Sequence, residues 1–187
     1  MGSPNVRLAS LADIERIAEI HVAAWRAAYT GLVDEAALAD RTIEKRMRQW
    51  KEVIEGDGWP DHEVHVIERD GHIQGFAQTS PSDDEDAHLE RTLHVNALYL
   101  DPVRRGSGLG AVLLDYVLAK AELAGYTLAT LYVLIDNDGA RRFYERNGWE
   151  PEPDVVSECL GDGTVAPQLR YRKKLRQPSS SVNPAAP

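Results

Sequence analysis

LHVNALYLDPVRRGSGLGAVLLDYVLAKAELAGY, residues 93–126, sets three features in a row: an apolar run, a turn with paired arginines and alternate glycines, and an amphipathic helix. From Leu93 to Leu100 nearly every position is apolar, the pattern of a strand covered on both faces, and Asp101-Pro102 stops it. Beyond Gly110, the residues Val112, Leu113, Tyr116, Val117 and Ala121 recur at helical spacing, and Gly125 can supply a left-handed C-terminal turn. Between strand and helix, Gly106, Gly108 and Gly110 remove the side chains that would keep a phosphate off the backbone. Arg104 and Arg105 offer charge-assisted bonds. Free N–H groups, two cations and a helix N-terminus thus converge on one point suited to an anion, above all a pyrophosphate. A tight glycine turn with solvated arginines is the plainer reading.

Two other phosphate loops compete. The Walker pattern needs Lys-Ser/Thr after its last glycine, where Ala111-Val112 stand, and this excludes a P-loop. Gly106, Gly108 and Ala111 do fit the dinucleotide fingerprint, and Asp136 follows the next apolar run. That fingerprint normally opens directly off its strand, whereas Asp-Pro-Val-Arg-Arg intervenes here, and no further βαβ repeats follow Asp136. A nicotinamide-dependent oxidoreductase therefore ranks second.

The segment Arg105-Gly106-Ser107-Gly108-Leu109-Gly110 is similar to the Arg/Gln-x-x-Gly-x-Gly/Ala motif of the GNAT superfamily of acyl-CoA-dependent N-acetyltransferases. The preceding Ala97-Leu98-Tyr99-Leu100-Asp101-Pro102 resembles that family's splayed central strand. Downstream, Asn137 followed by Ala140, Phe143, Tyr144, Gly148 and Trp149 resembles a second family motif, in the right order and at the right separation. The resemblance runs from about Val6 to Leu175 and is strongest between Leu93 and Glu150. It implies an α/β fold: a mixed, strongly twisted sheet with helices on both faces and a splayed parallel strand pair holding acetyl-CoA as co-substrate. A non-catalytic acyl-CoA sensor with the same fold is a further alternative.

The resemblance also implies roles. The Leu98 N–H would act as oxyanion donor, and Leu98, Tyr99 and Leu100 would pair with the pantetheine arm. Arg105, Gly106, Ser107, Gly108, Leu109 and Gly110 would hold the pyrophosphate. Asn137 matches a pantetheine contact, although capping of the next helix alone would explain it. Tyr144 matches the family's general acid, since a phenol is neutral at pH 7 and can protonate a thiolate; a structural tyrosine is the alternative. His94 stands where some members carry a glutamate base and could act directly or through water, or be structural. On a regular strand His94, Asn96, Leu98 and Leu100 would share one face. Glu90 is the substitute candidate base or substrate contact, and a water chain alone is a third option. Trp25 and Tyr29 are either aromatic anchors of a packed helix or part of the acceptor pocket. No metal and no covalent enzyme intermediate are needed.

The composition fits these roles. With 187 residues and 43% hydrophobic content the chain can bury a full core, expected as one domain over residues 1–175 with a disordered tail over 176–187. A net charge of −9 argues against nucleic acid or an anionic membrane as main partner and favours a small-molecule amine. There is no apolar run long enough to span a bilayer and no leader-like pattern at the start, so a cytoplasmic protein is expected. A homodimer is compatible with the family. The single cysteine, Cys159, has no Cys or His spacing for zinc.

Outward from the central stretch, Val6–Ala9 reads as a first strand. Ser10 or Asp13 then starts a helix to about Tyr29 with Leu11, Ile14, Ile17, Ala18, Val22 and Trp25 inward. A helical region broken near Asp40–Thr42 carries Leu38, Ile43, Met47, Trp50 and Ile54. Glu63–Glu68 and Ile73–Thr79 read as strands about an Asp70-Gly71 turn. Pro81–Ala87 reads as an acidic loop, either a solvated surface or a guiding field for an amine. Leu128–Ile135 reads as a strand parallel to Leu93–Leu100 through a crossover helix, and Trp149–Cys159 with Thr164–Lys173 reads as a hairpin about residues 161–163.

Overall fold

A computed structural model describes residues 2–31, 35–56, 61–84, 86, 91–159 and 165–176. Strands β1 (Asn5–Leu8), β2 (Glu63–Arg69), β3 (His72–Pro81), β4 (Thr92–Leu100), β5 (Leu128–Leu134), β6 (Glu150–Cys159) and β7 (Val165–Lys174) form one seven-stranded sheet in the order β1-β2-β3-β4-β5-β7-β6. Every neighbouring pair is antiparallel except β4–β5, which is parallel. A single parallel pair inside an antiparallel sheet is not the doubly wound arrangement of a dinucleotide domain. The helices are α1 (Ile14–Tyr29), α2 (Glu35–Ala39), α3 (Ile43–Glu55), α4 (Leu109–Leu123) and α5 (Asp138–Arg146).

Local chemistry explains the boundaries. The Asp13 carboxylate accepts from the Ser10 N–H at 2.7 Å and the Ser10 hydroxyl at 2.8 Å, anchoring the turn that leads into α1. Thr42 caps α3 by accepting from the Lys45 N–H, and Gly56 at φ 78° closes it. Asp70 and Gly71 both take positive φ, as a two-residue hairpin turn requires. The proposed turn at residues 161–163, Thr164 and the tail beyond Arg176 lie outside the described residues.

The sheet is packed on both faces. On one, α4 places Leu109, Leu113, Leu114, Val117 and Leu118 against Leu93, Val95, Leu131 and Val133, and α5 adds Phe143 and Tyr144. On the other, α1 and α3 bury Ile17, Ile20, Trp50 and Val53 against Val64, Val66 and Phe76. Two helical faces differ from expectation: Val112 (41%), Tyr116 (37%) and Leu11 (52%) are exposed. The inward stripe of α4 is centred on Leu113 and Val117, and Leu11 precedes α1 in a single 3-10 turn whose rotation differs from that of an α-helix.

β4 decides the geometry of the site. It pairs with β5 only at Thr92, Leu93 and His94, opposite Leu128, Ala129 and Thr130, after which β5 stays with β7 while β4 stays with β3. On the β3 side Thr79 opposes Val95 and Gln78 opposes Ala97, which leaves Asn96 as an extra residue, a β-bulge. The bulge reverses the alternation of side chains. Leu93 and Val95 face α4 before it, and Leu98 and Leu100 face α4 after it, while Ala97 and Tyr99 face α1 and α3. His94 therefore does not share a face with Leu98 and Leu100, contrary to the regular-strand expectation. Nor is β4 covered along its whole length, because Ala97 to Leu100 are only half-buried where the strands part.

Candidate active site at the strand fork

The fork between β4 and β5 opens on a cleft of about 750 Å³. Leu98, Tyr99 and Leu100 form one wall, the glycine loop a second, α5 with Asn137 and Tyr144 a third, and Ala24, Ala27 and Ala28 of α1 a fourth. The Asp101 N–H donates to the Gln74 carbonyl at 2.8 Å. In an antiparallel ladder such bonds recur at every second residue, so the Leu98 and Leu100 N–H groups point to the opposite edge, where β5 has diverged. Two backbone donors thus face the cleft.

The glycine loop leads straight into α4. Gly106 at φ 77° and Gly108 at φ 78° adopt left-handed backbone, and a Cβ at either would meet no protein atom within 4 Å, so the loop presents bare backbone outward. Gly108 stands at the N-cap without a capping side chain, and the first intrahelical bond is Val112 N–H to Gly108 carbonyl. The N–H groups of Leu109, Gly110 and Ala111 are therefore left for an anion. At Gly110 a Cβ would lie 3.4 Å from Phe143, which lets α5 approach α4.

Arg105, Gly106, Gly108, Gly110, Asn137 and Tyr144 all line the cleft. The two arginines separate: Arg104 is turned to Gln74, with Nε 2.7 Å from Oε1, and Arg105 alone of the pair faces the cleft. Leu109 buries its side chain in the core, and the Ser107 N–H donates to the Arg104 carbonyl within the turn. Asn137 Oδ1 accepts from the Ala140 N–H at 3.1 Å and so caps α5 while lining the cleft. Burial pushes the Tyr144 hydroxyl well above the ordinary phenol range, and the nearby Tyr29 adds to it. Burial raises Tyr29 and Tyr99 in the same direction.

A second pocket, about 290 Å³, lies between the sheet and helices α1 and α3. It contains Trp25, Tyr29 and His94 together with His21, Trp50 and Tyr132. Tyr99 lines both cavities. Trp25 is 3% exposed and its ring lies 4.3 Å from that of Tyr29, so the two anchor α1 and also line this pocket. The Arg41 guanidinium stacks 3.4 Å over Trp25. His21 accepts from the Trp50 indole at 3.2 Å and stacks on Tyr99 at 4.9 Å. Burial holds His94 below the ordinary histidine range, opposed by Asp84 and Asp83. Glu90 lies outside the described residues.

Two aspartates of the acidic loop are engaged, and Glu85 and Ala87 lie outside the described residues. Asp84 and Asp86 pair with Arg170 at 3.0 and 2.7 Å, and Glu152 joins the same guanidinium at 3.2 Å. Asp84 is thus largely covered, whereas Asp86 is ion-paired at the surface with half of its side chain exposed. Sequence reasoning also missed the alanines of α1, although Ala24, Ala27 and Ala28 at i, i+3 and i+4 form a readable small-residue face.

The profile of the acetyltransferase (GNAT) family matches residues 15–149. The chain belongs to this family. An uncharacterized N-acetyltransferase of Methanocaldococcus jannaschii is 30% identical over 95 residues, which is 51% of this chain and 42% of that relative, so the GNAT chain spans less than half the relative's length. A probable N-acetyltransferase of Mycobacterium tuberculosis is 24% identical over 171 residues, 90% of this chain and 92% of the relative. Among solved structures, the PaiA N-acetyltransferase of Thermoplasma acidophilum in complex with coenzyme A superposes with a TM-score of 0.71 at 20% identity, covering 92% of this GNAT chain and 99% of that one.

Proposed function

We propose that this GNAT protein is an N-acetyltransferase that moves an acetyl group from acetyl-CoA to the primary amine of a small molecule, by direct transfer in a ternary complex. The observation that carries the reading is the fork itself: bare backbone donors of β4 at the junction of a glycine-loop cleft and a second, smaller pocket, with Tyr99 shared by both. When bound, acetyl-CoA supplies an acyl thioester.

The chain's own groups support this reading. The N–H groups at the start of α4 and the Arg105 guanidinium would hold the pyrophosphate. Leu98 and Leu100 offer strand-like hydrogen bonds to the pantetheine amides, and the Leu98 N–H donates to the thioester oxygen as charge grows there. Tyr144, kept neutral by burial, donates its proton to the departing sulfur. His94, kept neutral by burial, takes the amine proton. Four residue steps, about 13 Å at roughly 3.3 Å each, lie between it and Leu98, so that proton travels through water. Neither cavity has a serine or cysteine among its described lining residues, which favours direct transfer.

A pocket of about 290 Å³ suits a small acceptor. Its described lining holds Arg41 and Arg46 and no carboxylate, which favours a monoamine over a polyamine. The test is a thermal-shift and thiol-release assay with acetyl-CoA and a panel of amines, with NAD(H) and NADP(H) as controls. Stabilisation by acetyl-CoA and amine-dependent thiol release are expected; acetyl-CoA binding with no turnover on any amine would leave a sensor, and stabilisation only by a nicotinamide cofactor would overturn the reading.

A further inference from the structure

Behind the smaller pocket, the carboxylate of Asp84 gathers hydroxyl groups from two elements. Its Oδ1 accepts from the Tyr132 hydroxyl at 2.8 Å, and its Oδ2 accepts from Ser82 at 2.9 Å and from Thr130 Oγ1 at 3.4 Å. A carboxylate only accepts, so a Thr130 proton given to Asp84 leaves the Thr130 oxygen's lone pairs for its other neighbour. That neighbour is His94 Nδ1, at 3.1 Å. In that arrangement the ring proton of His94 sits on Nδ1, and the lone pair falls on Nε2. We propose that Thr130 and Asp84 form a positioning relay that holds His94 in its Nδ1–H tautomer, with Nε2 presented to the acceptor pocket as the base.

The inference rests on the reading of His94 as the base. Three observations support the relay itself. Thr130 is 0% exposed, so water does not compete for the middle link. Asp84 is held in place independently, by Arg170 at 3.0 Å and by Tyr132. His21, in the same pocket, has the opposite arrangement, since the Trp50 indole donates to its Nδ1 and leaves its proton on Nε2. With the relay in place, the two histidines of one pocket would be held in different tautomers by their partners.

The groups around His94 fix the sign of its response. Asp83 and Asp84 face it from the loop after β3, Arg170 from β7, His62 from the segment before β2 and Tyr132 from β5, with Arg41, Arg46 and His21 across the pocket. Burial lowers the His94 value, the two aspartates draw it back up, and Arg170 and His62 push it down. Removing the Asp84 charge lowers it further. The acid limb of the rate profile then moves to lower pH while the maximal rate falls, because the base is weaker and less well oriented.

The test compares wild type with His94→Gln, Thr130→Ser, Thr130→Val and Asp84→Asn. Ring 15N–1H correlations on the ligand-free protein, assigned by loss of signals in H94Q, read the tautomer without turnover. Steady-state kinetics with acetyl-CoA and an accepted amine give kcat and KM across pH. Expected are an Nδ1–H tautomer in wild type and T130S, and a shift toward Nε2–H in T130V and D84N. In those two, kcat falls at least about tenfold with KM for the amine within about twofold. T130V leaves the Asp84–Arg170 pair intact and nearly conserves volume, so it carries the test even if D84N loosens the loop. A wild-type tautomer and rate in T130V, alongside a lost rate in H94Q, would overturn the relay alone. A wild-type rate and acid limb in H94Q would overturn the base assignment and the relay's catalytic role with it.

Discussion

The side chains of His94 and Leu98 leave β4 on opposite faces of the sheet, although they stand four residues apart. The bulge at Asn96 accounts for this, since one extra residue shifts every later side chain to the other face. It sends Leu98 and Leu100 into the α4 packing and leaves His94 with Tyr99 on the side of the smaller pocket. The strand therefore turns bare backbone donors to the larger cleft and a titratable side chain to the smaller pocket.

Tyr144→Phe is expected to lower kcat about 100-fold, within the range for loss of a general acid, and to leave coenzyme A affinity within about twofold. Thiol-release kinetics and isothermal titration check the two halves. Because burial raises the wild-type hydroxyl well above its ordinary value, no alkaline limb from this group should interrupt the profile below about pH 10. An equal loss of affinity and rate would make Tyr144 a binding residue instead.

Arg105→Ala should raise KM for acetyl-CoA roughly tenfold or more, the worth of a charge-assisted bond to phosphate, with kcat little changed. Arg104→Ala should raise it far less, because that guanidinium is spent on Gln74. Added salt should narrow the gap between wild type and R105A. Equal effects of the two substitutions would show that proximity in sequence outweighs the direction each side chain takes.

Gly75→Ala should destabilise the protein by about 1–3 kcal/mol and weaken acetyl-CoA binding as well. A Cβ there would lie 2.3 Å from Leu100 Cδ2 and 2.7 Å from the Tyr99 carbonyl, so β3 would push against the end of β4 that borders the cleft. Thermal melts with and without coenzyme A read both effects. A variant as stable as wild type would contradict the close approach.

Arg7 binds Asp13 through two nitrogens, at 2.7 and 2.9 Å, and this hydrogen bonding holds the Asp13 carboxyl down at about 2, below its ordinary 3.8. A carboxyl whose value is lowered by folding adds stability above its unfolded value and loses it as pH falls through the folded one. Melting temperature should thus drop between about pH 4 and pH 2 partly on this account. Asp13→Asn should be less stable at neutral pH and show a shallower drop in that window. Parallel curves for the two proteins would remove Asp13 from the acid response.

The strands, the crossover helix and the glycine loop were legible because each depends on local signals. Apolar runs, the Asp70-Gly71 turn, the Asn137 cap and the Gly125 stop all act within a few residues. The inward faces were less so. Val112 and Tyr116 fit a helical period, but Leu114 and Leu118 fit it as well, and only docking against β4 and β5 chose between them.

By itself the sequence determined the family, the order of elements and the glycine turn that opens α4, since these follow from residue types at short, fixed separations. The tertiary structure decided which arginine of the pair faces the cleft, that Tyr99 joins two cavities, and that Asp84, Thr130 and His94 stand in line. Each of those depends on strand register, where one unpaired residue at Asn96 exchanges the two faces of the strand. No periodicity along the chain records a bulge whose position is set by the pairing of β4 with β3.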